Sequence, residues 1–253
     1  MKKISRIFVL ALLVAAAFAS MAFADVADDI IARWTKKEYL VDKYDKVSNL
    51  EIKVTYYSAE YIEAYLQKEA KANLWTEQEL EDYKAKMMST LQLQEMVPVN
   101  IEFTNNGPSM HLGPFDIMVK LQVGNKQYQP VDYDKRFNFR FQGKKDGLIY
   151  FPRYDAKTGK DLFKGIKSVR LFFSPAISPI TDGRSIDFVW DISRDDPSRL
   201  FRGKTAAKLE TDRLLKRLDK LRRDRSEEES KLNSIDTEIK TIQTRIDELA
   251  GEL

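Results

Sequence analysis

Apolar positions along this chain change their spacing from region to region, and each change marks an element. Residues 7–19 form a continuous apolar block. In 26–45, Ile30, Ile31, Trp34, Tyr39 and Leu40 gather on roughly one face, which predicts an amphipathic helix. In 49–58, Leu50, Ile52, Val54 and Tyr56 alternate with polar residues, the pattern of a half-buried strand. Residues 59–73 return to helical spacing with Tyr61, Ile62, Tyr65 and Leu66. A second helix over 77–92 is announced by Thr76-Glu77-Gln78-Glu79, a capping box in which Thr76 accepts from the N3 amide and Glu79 reaches back. The pattern therefore places a helical pair between two strands.

From 97 to 192 the spacing shortens to two. VPVNIEFTN alternates and ends at Asn105-Asn106-Gly107-Pro108. FDIMVKLQV and KQYQPVDY flank Gly124-Asn125, a two-residue hairpin signal. RFNFRF puts Phe137, Phe139 and Phe141 on one face of a predicted strand. GLIYFPRY, KSVRLFFS and SIDFVWDIS complete the set. No helix alternates with these strands, which argues against a parallel α/β sheet.

This strand series, VPVNIEFTNNG, a hairpin ending KQYQPVDY, then GLIYFP and VRLFFS, resembles the immunoglobulin-like sandwiches of bacterial envelope proteins. The likeness covers 97–192 and lacks the Cys pair of antibody-type domains. It implies an extracellular scaffold or binding module and assigns no residue roles.

After SRDDPSRLFRG at 193–203, a linker with Pro197 and Gly203, neither Gly nor Pro recurs until Gly251. With Leu218 at heptad position a, the a set is Thr211, Leu218, Arg225, Leu232, Ile239, Ile246 and Leu253. The d set is Ala207, Leu214, Leu221, Glu228, Ile235, Ile242 and Leu249. The 3–4 spacing holds without slip, which a helix buried in a globular core does not require. Two readings compete at RRDRSEEES. Ser226 can cap a second helix with acids in its first turn, which makes a hairpin. The preserved phase and the missing turn residues favour one helix of ~70 Å instead. Residues 204–225 carry nine basic and four acidic side chains, and 226–253 carry three and eight. A parallel pair of such helices aligns like charges, Arg217 with Arg222 and Asp224 with Glu229. An antiparallel pair centred between 226 and 227 aligns Arg225 with Glu228, Leu218 with Ile235 and Leu221 with Leu232, and it flanks them with opposite charges.

Composition changes the picture mainly at the N-terminus. Lys2, Lys3 and Arg6 precede the apolar block and Ala22-Phe23-Ala24 follows it, the layout of a cleaved secretory signal over 1–24. Removing it takes three basic residues and no acidic one, so 42 against 39 becomes 39 against 39. A neutral chain does not point to nucleic acid or an anionic membrane surface. The chain has no Cys, which excludes disulfides, thiolate metal sites and a lipidated cysteine.

Candidate chemistry is sparse, and no catalytic, cofactor or metal site is expected. The single His111 lies between turns without a second His or Cys. Gly203-Lys204-Thr205 echoes a phosphate loop, but Ser198 stands where its first Gly is needed and no strand precedes it. Asp191, Asp195 and Asp196 lack the Gly-bearing spacing of a calcium loop. Tyr57 and Trp75, together with Tyr56, Tyr61 and Tyr65, are candidate ligand-stacking aromatics, although such residues more often pack.

The expected fold is α+β: an antiparallel immunoglobulin-like β-sandwich with inserted N-terminal helices, followed by a long C-terminal coiled-coil helix. Its segments are a signal at 1–24, helices with one strand at 25–96, the sandwich at 97–192, the linker at 193–203 and the coiled coil at 204–253. The expected function is a non-enzymatic secreted or periplasmic scaffold, adaptor or assembly protein. It pairs as an antiparallel homodimer, binds a protein partner of the cell envelope, and neither binds nucleic acid nor stays in a membrane after cleavage. A periplasmic chaperone for unfolded clients and a carbohydrate-binding module are the alternatives.

Overall fold

The computed structural model describes residues 26–201 and 204–251, so the secretory signal expected at 1–24 lies outside the described residues. The chain is α+β, with two antiparallel sheets and a long C-terminal helix. It divides into two compact units between Arg202 and Gly203.

In the first unit, helix α1 (26–34) runs into β1 (Thr35–Val41), which pairs with β2 (Asn49–Tyr56). The helix predicted over 26–45 is thus half helix and half strand. The physical reason lies in the spacing. Leu40 falls six positions after Trp34, which a 3.6-residue repeat puts on another face, whereas pairing with β2 buries Leu40 beside Leu50. Residues 25–96 therefore contribute two strands, where the sequence signals one.

Helices α2 (Ala59–Asn73) and α3 (Glu77–Thr90) follow, inserted before β3 (Met96–Met110). The capping box forms in full: Thr76 Oγ1 accepts from Glu79 N, and Glu79 accepts from Thr76 N at 2.7 Å. Next come a helical turn, α4 (Phe115–Met118), then β4 (Val119–Val123), β5 (Lys126–Tyr128), β6 (Asp132–Tyr133), β7 (Phe141–Pro152), β8 (Ser168–Phe173) and β9 (Ile186–Asp191). One sheet runs β1-β2-β3-β7-β6 and the other β5-β4-β8-β9. Gly124, at φ 58°, makes the β4–β5 turn that the Gly-Asn pair signals.

RFNFRF is not a strand. Asp134 accepts from Arg136 N at 2.9 Å and caps a 3₁₀ turn over Lys135–Asn138. Phe137 turns into the core and stacks on Phe115 at 4.5 Å, Phe141 is buried at the start of β7, and Phe139 is left 66% exposed. A local aspartate cap overrides the alternation.

Rings from both sheets meet in one core. Phe103 of β3 packs edge-on against Phe173 of β8 at 6.3 Å, and Tyr56 of β2 packs against Trp190 of β9 at 5.6 Å. Trp190 Nε1 donates to the Trp34 carbonyl at 2.9 Å, and Trp34 Nε1 donates to Glu60, which ties α1, α2 and β9 together. Each such fully buried ring or branched aliphatic side chain contributes ~1.5–3 kcal/mol. Within the segment 193–203, Asp195 accepts from Ala59 N at 2.8 Å, Arg199 pairs with Glu63 at 2.6 Å, and Leu200 is buried.

The second unit is one unbroken helix, α5 (Lys204–Gly251). It passes through Ser226 without a turn, and Arg225 Nε reaches Glu229 at 2.7 Å across that point. At 1.5 Å per residue its 48 residues extend about 72 Å.

Candidate functional site

One cavity of the first unit is built by two rows of side chains at i, i+4 spacing. Ser58 accepts from Tyr61 N at 2.9 Å and starts α2, which lines up Tyr57, Tyr61 and Tyr65 on one face. Their rings form a ladder: Tyr57 and Tyr61 lie 5.0 Å apart and 9° from parallel, Tyr61 and Tyr65 6.2 Å and 11°. Tyr83, Met87 and Leu91 on α3 and just past it face them, and the cleft between holds about 380 Å³. Burial pushes the Tyr57 and Tyr61 phenols up. Burial, then the neighbouring Tyr83 and Glu69, pushes Tyr65 up to about 12. All three phenols stay neutral, and so remain hydrogen-bond donors, at any physiological pH.

Of the two aromatics singled out by sequence, Tyr57 stands at the base of this ladder and Trp75 packs on Tyr83 at 4.6 Å. Tyr57 precedes α2 and Trp75 follows it, so ~22 Å of helix separates them and they do not share one ligand ring.

Tyr57 also lines a second cleft of about 440 Å³, over β3, β6 and β7. Tyr133 and Tyr150 stand there with Asp132, Asp134 and Asp146. Arg136 pairs with Asp134, its Nη2 at 2.6 Å and its Nε at 2.9 Å from Oδ2, and its Nη2 also donates to the Asp146 carbonyl at 2.9 Å; the pairing holds the Asp134 carboxyl below its usual range. Gly147 permits the arrangement: a Cβ at that position would lie 2.6 Å from the Asp134 Cβ. Tyr57 lines both clefts.

A third cavity, about 430 Å³, holds Arg153 and Asp195. The Arg153 side chain is 11% exposed, lies over Phe163, and meets Asp161 only at 3.6 Å; its Nε is buried without a protein partner. Burial pushes the Asp195 carboxyl up to about 6, against the Ala59 amide and Arg153, which favour its charge.

The remaining candidates are elsewhere. His111 is exposed, its Nε2 2.9 Å from the Asn138 carbonyl oxygen. Asp191 and Asp196 accept from Ser193 and Ser198. Among the described residues no group of three or more His, Cys, Asp or Glu is placed to hold a metal ion, and no helix is long and apolar enough to cross a membrane. On α5 the Leu and Ile of the heptad positions share one stripe: Leu214, Leu218, Leu221, Leu232, Ile235, Ile239, Ile242, Ile246 and Leu249, each 42–59% exposed. Arg225 and Glu228, at the middle of that stripe, are exposed and paired within the chain to Glu229 and Lys231.

Sequence reasoning missed Tyr83, Tyr133 and Tyr150. The signal for Tyr83 was present, because Tyr83, Met87 and Leu91 repeat every fourth residue. Tyr133 and Tyr150 had no such signal, since only pairing of β6 with β7 brings them to Tyr57.

No protein-family model matches the chain, and no curated protein does. Two solved structures resemble it. One is a protein of unknown function from Burkholderia pseudomallei, at 12% identity and TM-score 0.36 over 79% of this chain and 94% of that one. The other is a functionally unknown protein from Listeria monocytogenes, at 15% identity and TM-score 0.27 over 65% and 90%. Likenesses this distant carry no argument about fold or function.

Proposed function

We propose that the chain is a non-enzymatic, secreted or periplasmic scaffold or adaptor. In this reading α5 pairs with α5 of a second copy as an antiparallel coiled coil. The two sheets form an immunoglobulin-like sandwich that engages a protein partner of the cell envelope. The observation that carries the reading is the stripe on α5: nine Leu and Ile side chains, about half exposed, in one heptad phase that continues through the charged layer of Arg225 and Glu228. Covering the exposed half of each contributes roughly 1 kcal/mol per side chain. A second copy is the occupant that the charges favour, because the +5 half of 204–225 meets the −5 half of 226–253 only when the helices run in opposite directions. The ring contacts between the two sheets support the sandwich.

Sedimentation of the chain from residue 25 onward tests this. A dimer is expected, and Leu218→Asp, which sets a carboxylate against Ile235 twice per dimer, weakens it at least about 100-fold. Direction is read with a spin label on Lys216→Cys, a clean site because the chain has no Cys. Antiparallel helices centred between 226 and 227 separate the two labels by about 30 Å along the axis, parallel helices by about 10 Å. A concentrated monomer, or the short distance, refutes the proposal.

A further inference from the structure

We propose that the cavity of about 430 Å³ in the first unit binds a carboxylate with an apolar body, its charged end held by Arg153 and the Tyr56 hydroxyl. Every lining residue belongs to the first unit, so the proposal is independent of how α5 pairs.

Two donors without acceptors define the ligand. The Arg153 side chain is nearly buried, yet its guanidinium makes no hydrogen bond among the described residues. The nearest carboxylate oxygen, Asp161 Oδ2, lies 3.6 Å from Nη1, and Asp161 Oδ1 is taken by Phe163 N at 2.8 Å. Tyr56 is 1% exposed and its ring packs against Trp34 and Trp190. Its hydroxyl has no hydrogen-bond partner among the described residues either. The phenol feels the charges of Asp195, Arg153 and Asp161, all of which line the cavity, so the hydroxyl belongs to this site. Burial, then Asp195, pushes the phenol up and keeps it a neutral donor. Buried donors left unmet are costly and rare in folded proteins, and one acceptor group in the cavity answers both. Lys164 and Lys167 line the same cavity, are exposed, and form no ion pair among the described residues, so they draw an anion toward it.

The lining also decides the class of anion. A carboxylate offers two coplanar oxygens to the fork of a guanidinium. At neutral pH the three lining cations exceed Asp161 and Asp195 by one, which balances a single negative charge. Phe163, Ile166, Ile192 and Pro197 give the apolar surface that an organic acid uses and an inorganic anion does not. The volume is that of a small-molecule site.

Asp195 makes the site pH-dependent. Its Oδ1 accepts from Ala59 N, which leaves Oδ2 free to carry a proton and donate it to the ligand. Burial pushes this carboxyl up to about 6. Glu60 of α2 and Asp196 push the same way, and the Ala59 amide and Arg153 oppose them. Tyr56, neutral throughout, and Asp161 are its other ionisable neighbours in the cavity. Above about 6 Asp195 repels a carboxylate, and below it Asp195 becomes a further donor. Affinity therefore rises as pH falls from about 7.5 to 6, where a ligand acid with an ordinary pKa of ~4–5 is still ionised.

The test titrates the chain from residue 25 onward with 3-phenylpropionate, read by NMR at the Ala59 amide that bonds Asp195. The neutral 3-phenylpropionamide and inorganic phosphate are the controls. A dissociation constant of about 0.1–1 mM is expected for the acid at pH 6, with at least tenfold weaker binding of the amide and no competition by phosphate. Arg153→Met keeps the bulk over Phe163 and loses tenfold or more. Lys167→Glu, at an exposed position, weakens binding severalfold and covers the case in which the Arg153 variant does not fold. Asp195→Asn mimics the protonated acid, so it binds severalfold tighter than the parent at pH 7.5 and shows a flat profile down to pH 6. A change that was merely structural would not reproduce this. Short peptides ending in Phe, with a free or an amidated C-terminus, separate the two sources of such a carboxylate. Tight binding of the free-carboxyl peptide assigns the site to protein C-termini, and its failure beside a binding 3-phenylpropionate assigns it to small acids. No binding of either acid at about 10 mM, equal binding of the amide, displacement by phosphate, insensitivity to both Arg153→Met and Lys167→Glu, or weaker binding by Asp195→Asn at pH 7.5 overturns the proposal.

Discussion

A carboxyl group buried at the start of α2 holds its proton well above the usual carboxylate range. Asp195 accepts the Ala59 amide, but burial outweighs that bond and the nearby Arg153, and Glu60 and Asp196 add to the penalty, so its pKa is about 6 against 3.8 unfolded. The folded state therefore binds this proton more tightly. Stability from this source is complete below about 3.8, falls as pH rises toward 6, and the full cost stands above it. Asp195→Asn keeps an acceptor for the amide and removes the charge. It is expected to stabilise the chain at pH 7 by up to roughly 3 kcal/mol, and by almost nothing at pH 4, in urea titrations at the two pH values. Phe103→Ala tests the core at the same scale. Its ring meets those of Phe115, Phe137, Phe141 and Phe173, and the cavity should cost ~3–5 kcal/mol by the same measurement. The sequence offers Asp195 only as one of three neighbouring carboxylates with Asp191 and Asp196, because its burial depends on the segment around Ala59, 136 positions away. Phe137 and Phe139 were likewise indistinguishable by alternation alone; the cap on Asp134 separates them.

Elements were legible where local chemistry agreed with tertiary pairing. The capping box at Thr76, the start of α2 after Ser58, and the alternation of β2 and β3 all read correctly, because the residues that define each element also stabilise it. β1 did not, since its register is dictated by β2 and only Leu40 along it is buried. At Ser226 the two sequence readings make opposite forecasts. In a hairpin, proline at 226 would sit at a helix start, where it is tolerated. In the unbroken helix it removes a backbone bond and clashes with the preceding turn, at ~3 kcal/mol. Ser226→Pro is therefore expected to reduce the 222 nm circular dichroism of α5 and weaken self-association about 100-fold, whereas an unchanged spectrum would contradict a continuous helix.

At the scale of the whole molecule, the C-terminal charges of the proposed dimer act on direction rather than on strength. Exposed ion pairs contribute only ~0.2–1 kcal/mol each, so in such a dimer the Leu and Ile stripe would supply most of the association energy in either orientation. Direction is then tested by exchanging charges rather than deleting them. In the antiparallel arrangement Arg217 approaches Glu238 of the second copy, twice per dimer. Arg217→Glu and Glu238→Arg each set like charges together and should each raise the dimer dissociation constant severalfold at low salt. The double variant restores opposite signs and should recover most of that loss, a coupling that a double-mutant cycle isolates. A parallel dimer predicts no recovery, because 217 then faces 222. Raising the salt concentration shrinks the single-variant penalties, since charges on an exposed helix flank are screened within ~10 Å at 0.1 M, while the effect of Leu218→Asp persists because it acts on the apolar seam.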